Sequence, residues 1–501
     1  MDTEIELKLL VDPNDLETLS NWMQQRPQVI KSYQRQLSNI YFDTADRQLR
    51  QLDCGLRVRT VDDRSEQTIK TAGKVIGGLH ARPEYNVPID GRRPDLFLFD
   101  RDIWPDDTDV AALQESLLSQ FTTNFTRQTW LLSYSDDAIV EVVIDHGEIS
   151  SGERSVPICE MEMELVKGPP SLLFKLAQKV CKKFDVRPGQ ASKAARGYRL
   201  LEGAPEPEPV VLPLLNLDPA ISVEEALTEL SSAALRQLQS NQDVFFANDS
   251  IAALQEVRHG LLWMLQIRHY FNDILDEASL NLLANAKIWL VKLQWVADAL
   301  YRKHLLEQKD QYMKRLEDKK KVRRTLKECD NSTNLKLASA LLSSRDYSQW
   351  LLQLSEWLTC QHWRLEGLAQ PQLDEPVAQL ARDVLDHSKQ YVAERFPANE
   401  CLSADDCAKG CERLERALLS GNCFRRMFDP EATSAYRGPW HDMLRGCQEL
   451  ALLAFLQRVV NGIDLKDEEA FERWLQRKRE SWLELVEQSK QAALAMEPYW
   501  R

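Results

Sequence analysis

Charge alternates with apolar residues at the start of the chain, in Glu4-Ile5-Glu6-Leu7-Lys8. A helix cannot hold Glu4, Glu6 and Lys8 on one side. A strand must, because its successive side chains point to opposite faces. The three charges then lie along about 13 Å of one surface, at ~3.3 Å per residue. The pattern recurs: Arg57 and Arg59 share a face, as do Thr68 and Lys70, Arg82 and Glu84, Arg127 and Thr129, and Glu160, Glu162 and Glu164, while Asp145 ends an apolar run. Period-two runs cover residues 4–10, 37–42, 55–60, 67–71, 84–89, 123–134, 138–145 and 158–166. Turn signals fall at 61–65, at 135–137 and at His146-Gly147. Short helices fit 15–25, 110–118, 171–183 and 192–200. Eight strands with few helices between them predict a mostly antiparallel sheet able to close into a tunnel.

Two readings of the charged faces stand side by side. In an open sheet a charged face is simply the wet face. In a closed sheet with those faces inward, the interior holds Lys8, Arg57, Arg59, Lys70, Arg82 and Arg127 together with Glu4, Glu6, Glu84, Asp145, Glu160, Glu162 and Glu164. So many buried charges need partners. A polyanion with a divalent metal would supply them. Arg and Lys suit phosphate oxygens, and carboxylates suit hard cations such as Mg2+ or Mn2+.

At 501 residues the chain exceeds one core. Alternating Pro and Glu in Pro205-Glu206-Pro207-Glu208-Pro209 mark a solvated spacer. The expected division is a tunnel domain over 1–202, a linker over 203–219 and an all-α domain over 220–501. The fold class is therefore α+β: a β tunnel with flanking helices, then a helical bundle built on stripes such as Trp350, Leu354, Trp357 and Leu358. Net charge is −14 and both halves are acidic, which speaks against nucleic acid as a partner. No apolar run is long enough for a membrane span, and no apolar leader opens the chain, so a cytoplasmic protein is expected. The ten cysteines form no CxxC pair. Cys401, Cys407 and Cys411 read as packing or surface thiols, with zinc as the alternative. Phosphate-loop, GxSxG and HExxH motifs are absent. His80 and His146 read as surface or hydrogen-bonding residues near turns.

The ordered set Glu4-Ile5-Glu6-Leu7-Lys8, Gly55-Leu56-Arg57-Val58-Arg59, Thr68-Ile69-Lys70, Arg82-Pro83-Glu84-Tyr85, Arg127, Ile144-Asp145, Glu160/Glu162/Glu164 and Ser192-Lys193-Ala194-Ala195-Arg196 resembles the CYTH superfamily of triphosphate tunnel metalloenzymes. The resemblance implies an eight-stranded antiparallel tunnel with the charges pointing inward. It implies phosphate contacts from Lys8, Arg57, Arg59, Lys70, Arg82, Arg127 and Lys193, and a metal cage of Glu4, Glu6, Asp145, Glu162 and Glu164 holding two divalent ions. Glu4, Glu6, Lys8 and Lys193 would be the catalytic set. Arg196 would either bind substrate phosphate or anchor its helix. The second half resembles a CHAD domain, a helical module that implies polyphosphate as a partner. The region Arg258-His259 to Arg268-His269 keeps some of that module's basic residues, with Leu, Trp and Met between them. The basic run from Lys314 to Lys327 reads as a solvated helix face or as a polyphosphate patch. The whole layout resembles bacterial inorganic triphosphatases, which implies hydrolysis of inorganic triphosphate to pyrophosphate and phosphate. Thiamine triphosphate or nucleoside triphosphate hydrolysis, class IV adenylate cyclase activity and a non-catalytic polyphosphate-binding module are the alternatives. The sequence leaves the oligomeric state open.

Overall fold

The computed structural model describes residues 2–61, 64–203, 207–307, 318–328, 331–365 and 369–501. Part of the expected 61–65 turn, part of the Pro/Glu spacer, and Lys314 and Arg315 of the basic run lie outside the described residues. The chain forms two compact units, Met1–Pro207 with Ala340–His362, and Glu208–Ser339 with Trp363–Arg501.

The first unit carries β1 (Asp2–Val11), β2 (Val29–Asp43), β3 (Gly55–Val61), β4 (Arg64–Lys70), β5 (Lys74–Ile76), β6 (Leu79–Ile89), β7 (Leu118–Ser135), β8 (Ala138–Ser151), β9 (Arg154–Lys167) and β10 (Val186–Pro188). They pair in the order β10-β1-β9-β8-β7-β2-β3-β4-β6-β5, and β1 also pairs with β6. That last pairing closes an eight-stranded barrel in which neighbours are antiparallel. Closure removes the exposed edges that an open sheet would carry. All eight expected strands are present. The three-residue strands β5 and β10 are too short to show alternation in sequence. The expected turn at His146-Gly147 is not one, because β8 runs straight through it. Gly147 faces Phe125 across the sheet, and an added Cβ would sit 2.2 Å from the Asn124 carbonyl oxygen. The glycine there permits close backbone approach rather than a reversal.

The apolar face of the barrel strands points outward into a core. Leu7, Leu9, Val142, Ile144, Met161 and Met163 pack with Leu173, Phe174, Leu176, Ala177 and Val180 of the helix Ser171–Cys181. Leu352 joins the same core from the helix Arg345–Thr359, which lies far beyond the spacer in sequence. That helix is fixed to the unit by three further bonds. Ser355 Oγ donates to the Gly77 carbonyl at 3.1 Å, Gln178 Nε2 donates to Glu356 Oε2 at 2.7 Å, and Arg345 Nε donates to Asp185 Oδ1 at 2.7 Å. A second apolar cluster covers β3 and β4, where Leu56, Val58 and Ile69 meet Leu96, Phe99 and Trp104.

Among the described residues the second unit is helical. Its longest helices are Val223–Asn248, Ala404–Phe424, Pro430–Val460 and Glu468–Ala495. The irregular segment after the spacer is docked at Val210: its N–H donates to Asn241 Oδ1 at 2.9 Å, and its carbonyl accepts from Gln237 and Asn241. Buried amides thus satisfy a backbone that regular structure does not. The helix Lys319–Glu328 buries Val322 and Leu326 and leaves Lys319, Lys320, Lys321, Arg324 and Lys327 exposed, a solvated basic face. Cys407 is buried and Cys401 exposed, so the expected thiol cluster is spread between core and surface. Among the described residues no helix is long and apolar enough to cross a membrane.

Candidate active site

Strand parity sends Glu4, Glu6 and Lys8 to the side opposite Leu7 and Leu9, and that side is the lumen. One cavity there is lined by Glu4, Glu6, Lys8, Arg57, Arg59, Lys70, Arg82, Arg127, Glu162 and Lys193. Ten of the residues expected to serve the site therefore meet in one cavity, from seven different elements. A second, wider opening shares Glu4, Arg57, Arg59 and Arg127 with it and adds Glu84, Glu141 and Glu164. Arg196 borders neither cavity. Its guanidinium donates to Glu160 Oε2 at 3.2 Å and to the Pro157 carbonyl, which ties its helix to β9.

Lys193 reaches the lumen from a helix end. Ser192 caps the helix Lys193–Glu202 by accepting from the Ala195 N–H at 3.1 Å. Ser192, Lys193 and Ala194 all line the cavity. The partly positive helix start thus adds to the ammonium. Two packing details hold the helix in place. Gly197 lies on Phe121, where a Cβ would sit 2.1 Å from the ring, and the Tyr198 hydroxyl donates to Asp43 Oδ2 at 2.8 Å.

The carboxylates fall into two groups with opposite electrostatics. Asp145, Glu160 and Glu162 are buried, each with an oxygen within 4.8 Å of the others. Cations fill the space between them. Lys193 Nζ lies 2.7 Å from Asp145 and 3.0 Å from Glu162 and also pairs with Glu160. Lys8 Nζ lies 2.9 Å from Glu162 and 3.3 Å from Glu160. Arg127 grips Asp145 with two bonds, at 2.7 and 2.6 Å, and reaches Glu162 at 3.1 Å. Burial opposes the charge of Glu162, yet Lys193, Lys8 and Arg127 hold its carboxyl well below the usual range. Asp145 is likewise held low by Lys193 and Arg127 against burial.

The other group has too few cations. Register sets Glu6 opposite Glu164, and Glu164 opposite Glu141. Burial pushes Glu4 up to about 8, with Lys70 opposing and Glu6 and Glu84 adding to the rise. Burial also pushes Glu164 up to about 7, helped by Glu141 and Glu84. Arg59 shows the converse strain. Burial together with Arg57 and Arg127 pulls Arg59 down to about 9. Arg59 Nε donates to the amide oxygen of Asn39 at 2.9 Å, a neutral acceptor. Glu4 does pair with the Lys70 ammonium, yet burial and its carboxylate neighbours still raise it. The lumen therefore holds raised carboxylates, Glu4 and Glu164, beside one guanidinium, Arg59, whose hydrogen bond goes to a neutral amide.

Other lumen residues were not legible as site residues. His80 sits on β6 just after the Gly77-Gly78 turn and opposite Glu6, 3 % exposed, with Nε2 3.4 Å from the Gly189 carbonyl: the hydrogen-bonding alternative rather than the surface one. Burial, Lys8 and Arg82 lower it to about 3, so it stays neutral. Tyr41 and Thr68 also face the cavity. Strand parity gives their direction, but their chemistry gives no sign of use. His146 is exposed, as expected.

A closed antiparallel tunnel with an ionic lumen defines a class of fold. Residues 2–198 match the family model described as the CYTH domain. The chain is 36% identical over 198 residues to an inorganic triphosphatase of Haemophilus influenzae, covering 39% of this chain and 54% of the relative. The chain thus matches about half the length of that relative. Among solved structures, a candidate adenylyl cyclase of Hippeastrum, described as having a dominant triphosphatase activity, is 23% identical with a TM-score of 0.30, over 39% of this chain and 95% of the other. A CHAD domain of Ricinus communis is 16% identical with a TM-score of 0.44, over 58% of this chain and 98% of the other.

Proposed function

We propose that the tunnel hydrolyses inorganic triphosphate to pyrophosphate and phosphate with divalent metal. One observation carries the reading: carboxylates raised by burial and like charge, Glu4 and Glu164, share one lumen with Arg59, a buried guanidinium whose hydrogen bond goes to a neutral amide. Neither a simple anion nor a simple cation relieves both. A polyphosphate with its metal does. The triphosphatase named among the relatives supports the same substrate class.

The donor set fits a hard cation, since the lumen carboxylates offer only oxygen. Glu4, Glu6 and Glu164 would hold Mg2+ or Mn2+: register sets Glu6 opposite Glu164, Glu4 lies on the same face of β1 as Glu6, and burial raises Glu4 and Glu164. Asp145 and Glu162 could serve a second ion only where Lys193 moves away, since its ammonium stands between them. When bound, the metal would neutralise phosphate charge and activate water. Arg57, Arg59, Lys70, Arg82, Arg127, Lys8 and Lys193, with the helix start, would hold phosphate oxygens around the lumen. Alignment and charge neutralisation are most of what phosphoryl transfer demands. Arg196 serves as the anchor of its helix.

The second opening favours one further reading. Leu98, Phe99 and Ile103 border it beside Arg57 and Arg59, a surface that suits an organic group on a triphosphate, as in thiamine or nucleoside triphosphates. Purified protein with Mg2+ or Mn2+ should release phosphate from tripolyphosphate far faster than from ATP or thiamine triphosphate. Equal or reversed rates would replace the inorganic reading by the organic one. No release from any of the three would remove both.

A further inference from the structure

The second unit buries a cation that the tunnel chemistry does not use. Arg437, on the helix Pro430–Val460, is 5 % exposed. Among the described residues it is the one arginine with two buried donors, Nε and Nη1, that find no acceptor. Its Nη2 donates to Asn422 Oδ1 at 2.6 Å and lies 3.4 Å from His441 Nε2. The Tyr499 hydroxyl is a further hydrogen-bonding neighbour of the guanidinium, and the Cys423 thiol and the guanidinium of Arg425 lie near it. None is a carboxylate. A buried guanidinium without a counter-charge is costly, and native chains rarely carry one without a ligand or ion. The helix packing accommodates it deliberately: Gly421 lies beneath it, where a Cβ would sit 1.8 Å from Nη1.

A cavity opens beside this group. Arg437, Lys389, Ser388 and Tyr499 offer polar groups to its lining, and aliphatic side chains join Tyr436, Trp440 and Trp500 in an apolar wall. No acidic residue lines it. Its volume is about 40 Å³. That exceeds the ~10–15 Å³ one water needs, and it limits an occupant to a few heavy atoms. A fully hydrated inorganic anion matches the guanidinium but not the indole walls. A short carboxylic acid matches both.

We propose that this cavity is a binding site for a compact organic monocarboxylate, with its carboxylate on Arg437 and its aliphatic end against Trp440 and Trp500. Calorimetric titration of the full chain with sodium propionate, at ionic strength fixed with chloride, tests it. Saturable binding is expected, weakened at least about tenfold, or ~1.4 kcal/mol, in Arg437→Met. The same substitution removes an uncompensated buried cation, so the ligand-free variant should melt higher than the unsubstituted chain. Propionate should raise the melting midpoint of the unsubstituted chain and leave that of the variant unchanged. Absence of propionate binding to the unsubstituted chain overturns the proposal whatever the variant does. Binding of inorganic phosphate that Arg437→Met weakens more than it weakens propionate binding overturns the carboxylate class. Undiminished propionate binding by Arg437→Met overturns the role of Arg437.

Discussion

The two faces of the same barrel strands make opposite demands. The outer face is complete: Leu7, Leu9, Met161 and Met163 find apolar partners in this chain, including one from the distant helix Arg345–Thr359. The inner face is half complete. Asp145, Glu160 and Glu162 have Lys8, Arg127 and Lys193, whereas Glu4 and Glu84 share the single ammonium of Lys70 and Glu164 stands opposite Glu6 and Glu141. Substitutions on the outer face, and in the matched inner group, should therefore cost stability. Substitutions in the unmatched group should cost activity.

The largest effect is expected at Lys193. Lys193→Met leaves three buried carboxylates short of a cation and should lower unfolding free energy by about 3–5 kcal/mol, read by urea unfolding. A loss under about 1 kcal/mol would mean the carboxylates are solvated and not matched by this cation. Leu352→Ala tests the outer face. It should cost about 2.7–5 kcal/mol in the unit that holds the tunnel. It also bears on truncation. A chain cut at residue 202 would lack Leu352 and the Ser355 bond to Gly77, and so should be less stable than the same tunnel in the full chain. A tunnel that melts identically with or without residues 340–362 would contradict this.

Glu6→Gln separates the two kinds of site within the lumen. Phosphate release should fall by about 10²–10³, the size of one lost electrostatic contact to the reacting group, while the metal-free protein melts at nearly the same temperature. Retained activity would take Glu6 out of the metal set. The smallest effect concerns pH. Glu4 and Glu164 have folded values of about 8 and about 7, above their unfolded carboxyl values. Between pH 4.5 and 8 the folded state then binds more protons than the unfolded state, so metal-free stability should fall as pH rises through that window. Mg2+ should flatten the slope, and thermal midpoints at pH 5 and pH 8, with and without Mg2+, read it directly. A midpoint that rises across the window without metal would show that these carboxylates are matched after all.

Much of the site was legible because a strand's parity is rigid. Once Leu7 and Leu9 are assigned to a core, Glu4, Glu6 and Lys8 must share the other face, and the same holds for Arg57 with Arg59 and for Glu160 with Glu162 and Glu164. His80 was not legible, since one neutral imidazole beside a glycine pair carries no parity signal of its own. Gly147 misled for a related reason: a glycine that admits close backbone approach looks in sequence like one that turns the chain. Arg437 is a plain helical arginine in sequence, and its lack of a carboxylate partner shows only when Gly421, Asn422 and Tyr499 surround it.

The sequence by itself determined the strands, their charged faces and the identity of the ionic residues, because side-chain alternation is a local property of extended backbone. The tertiary structure decided three other things. Closure of β1 onto β6 turned those faces inward. Register decided which carboxylates gained a cation: Lys8 stands opposite Glu162, while Glu6 stands opposite Glu164. Packing brought a helix from beyond residue 340 into the tunnel's own core. Coulomb energy falls with distance and burial raises its weight. Whether a given charge is matched therefore depends on neighbours that only the closed sheet supplies.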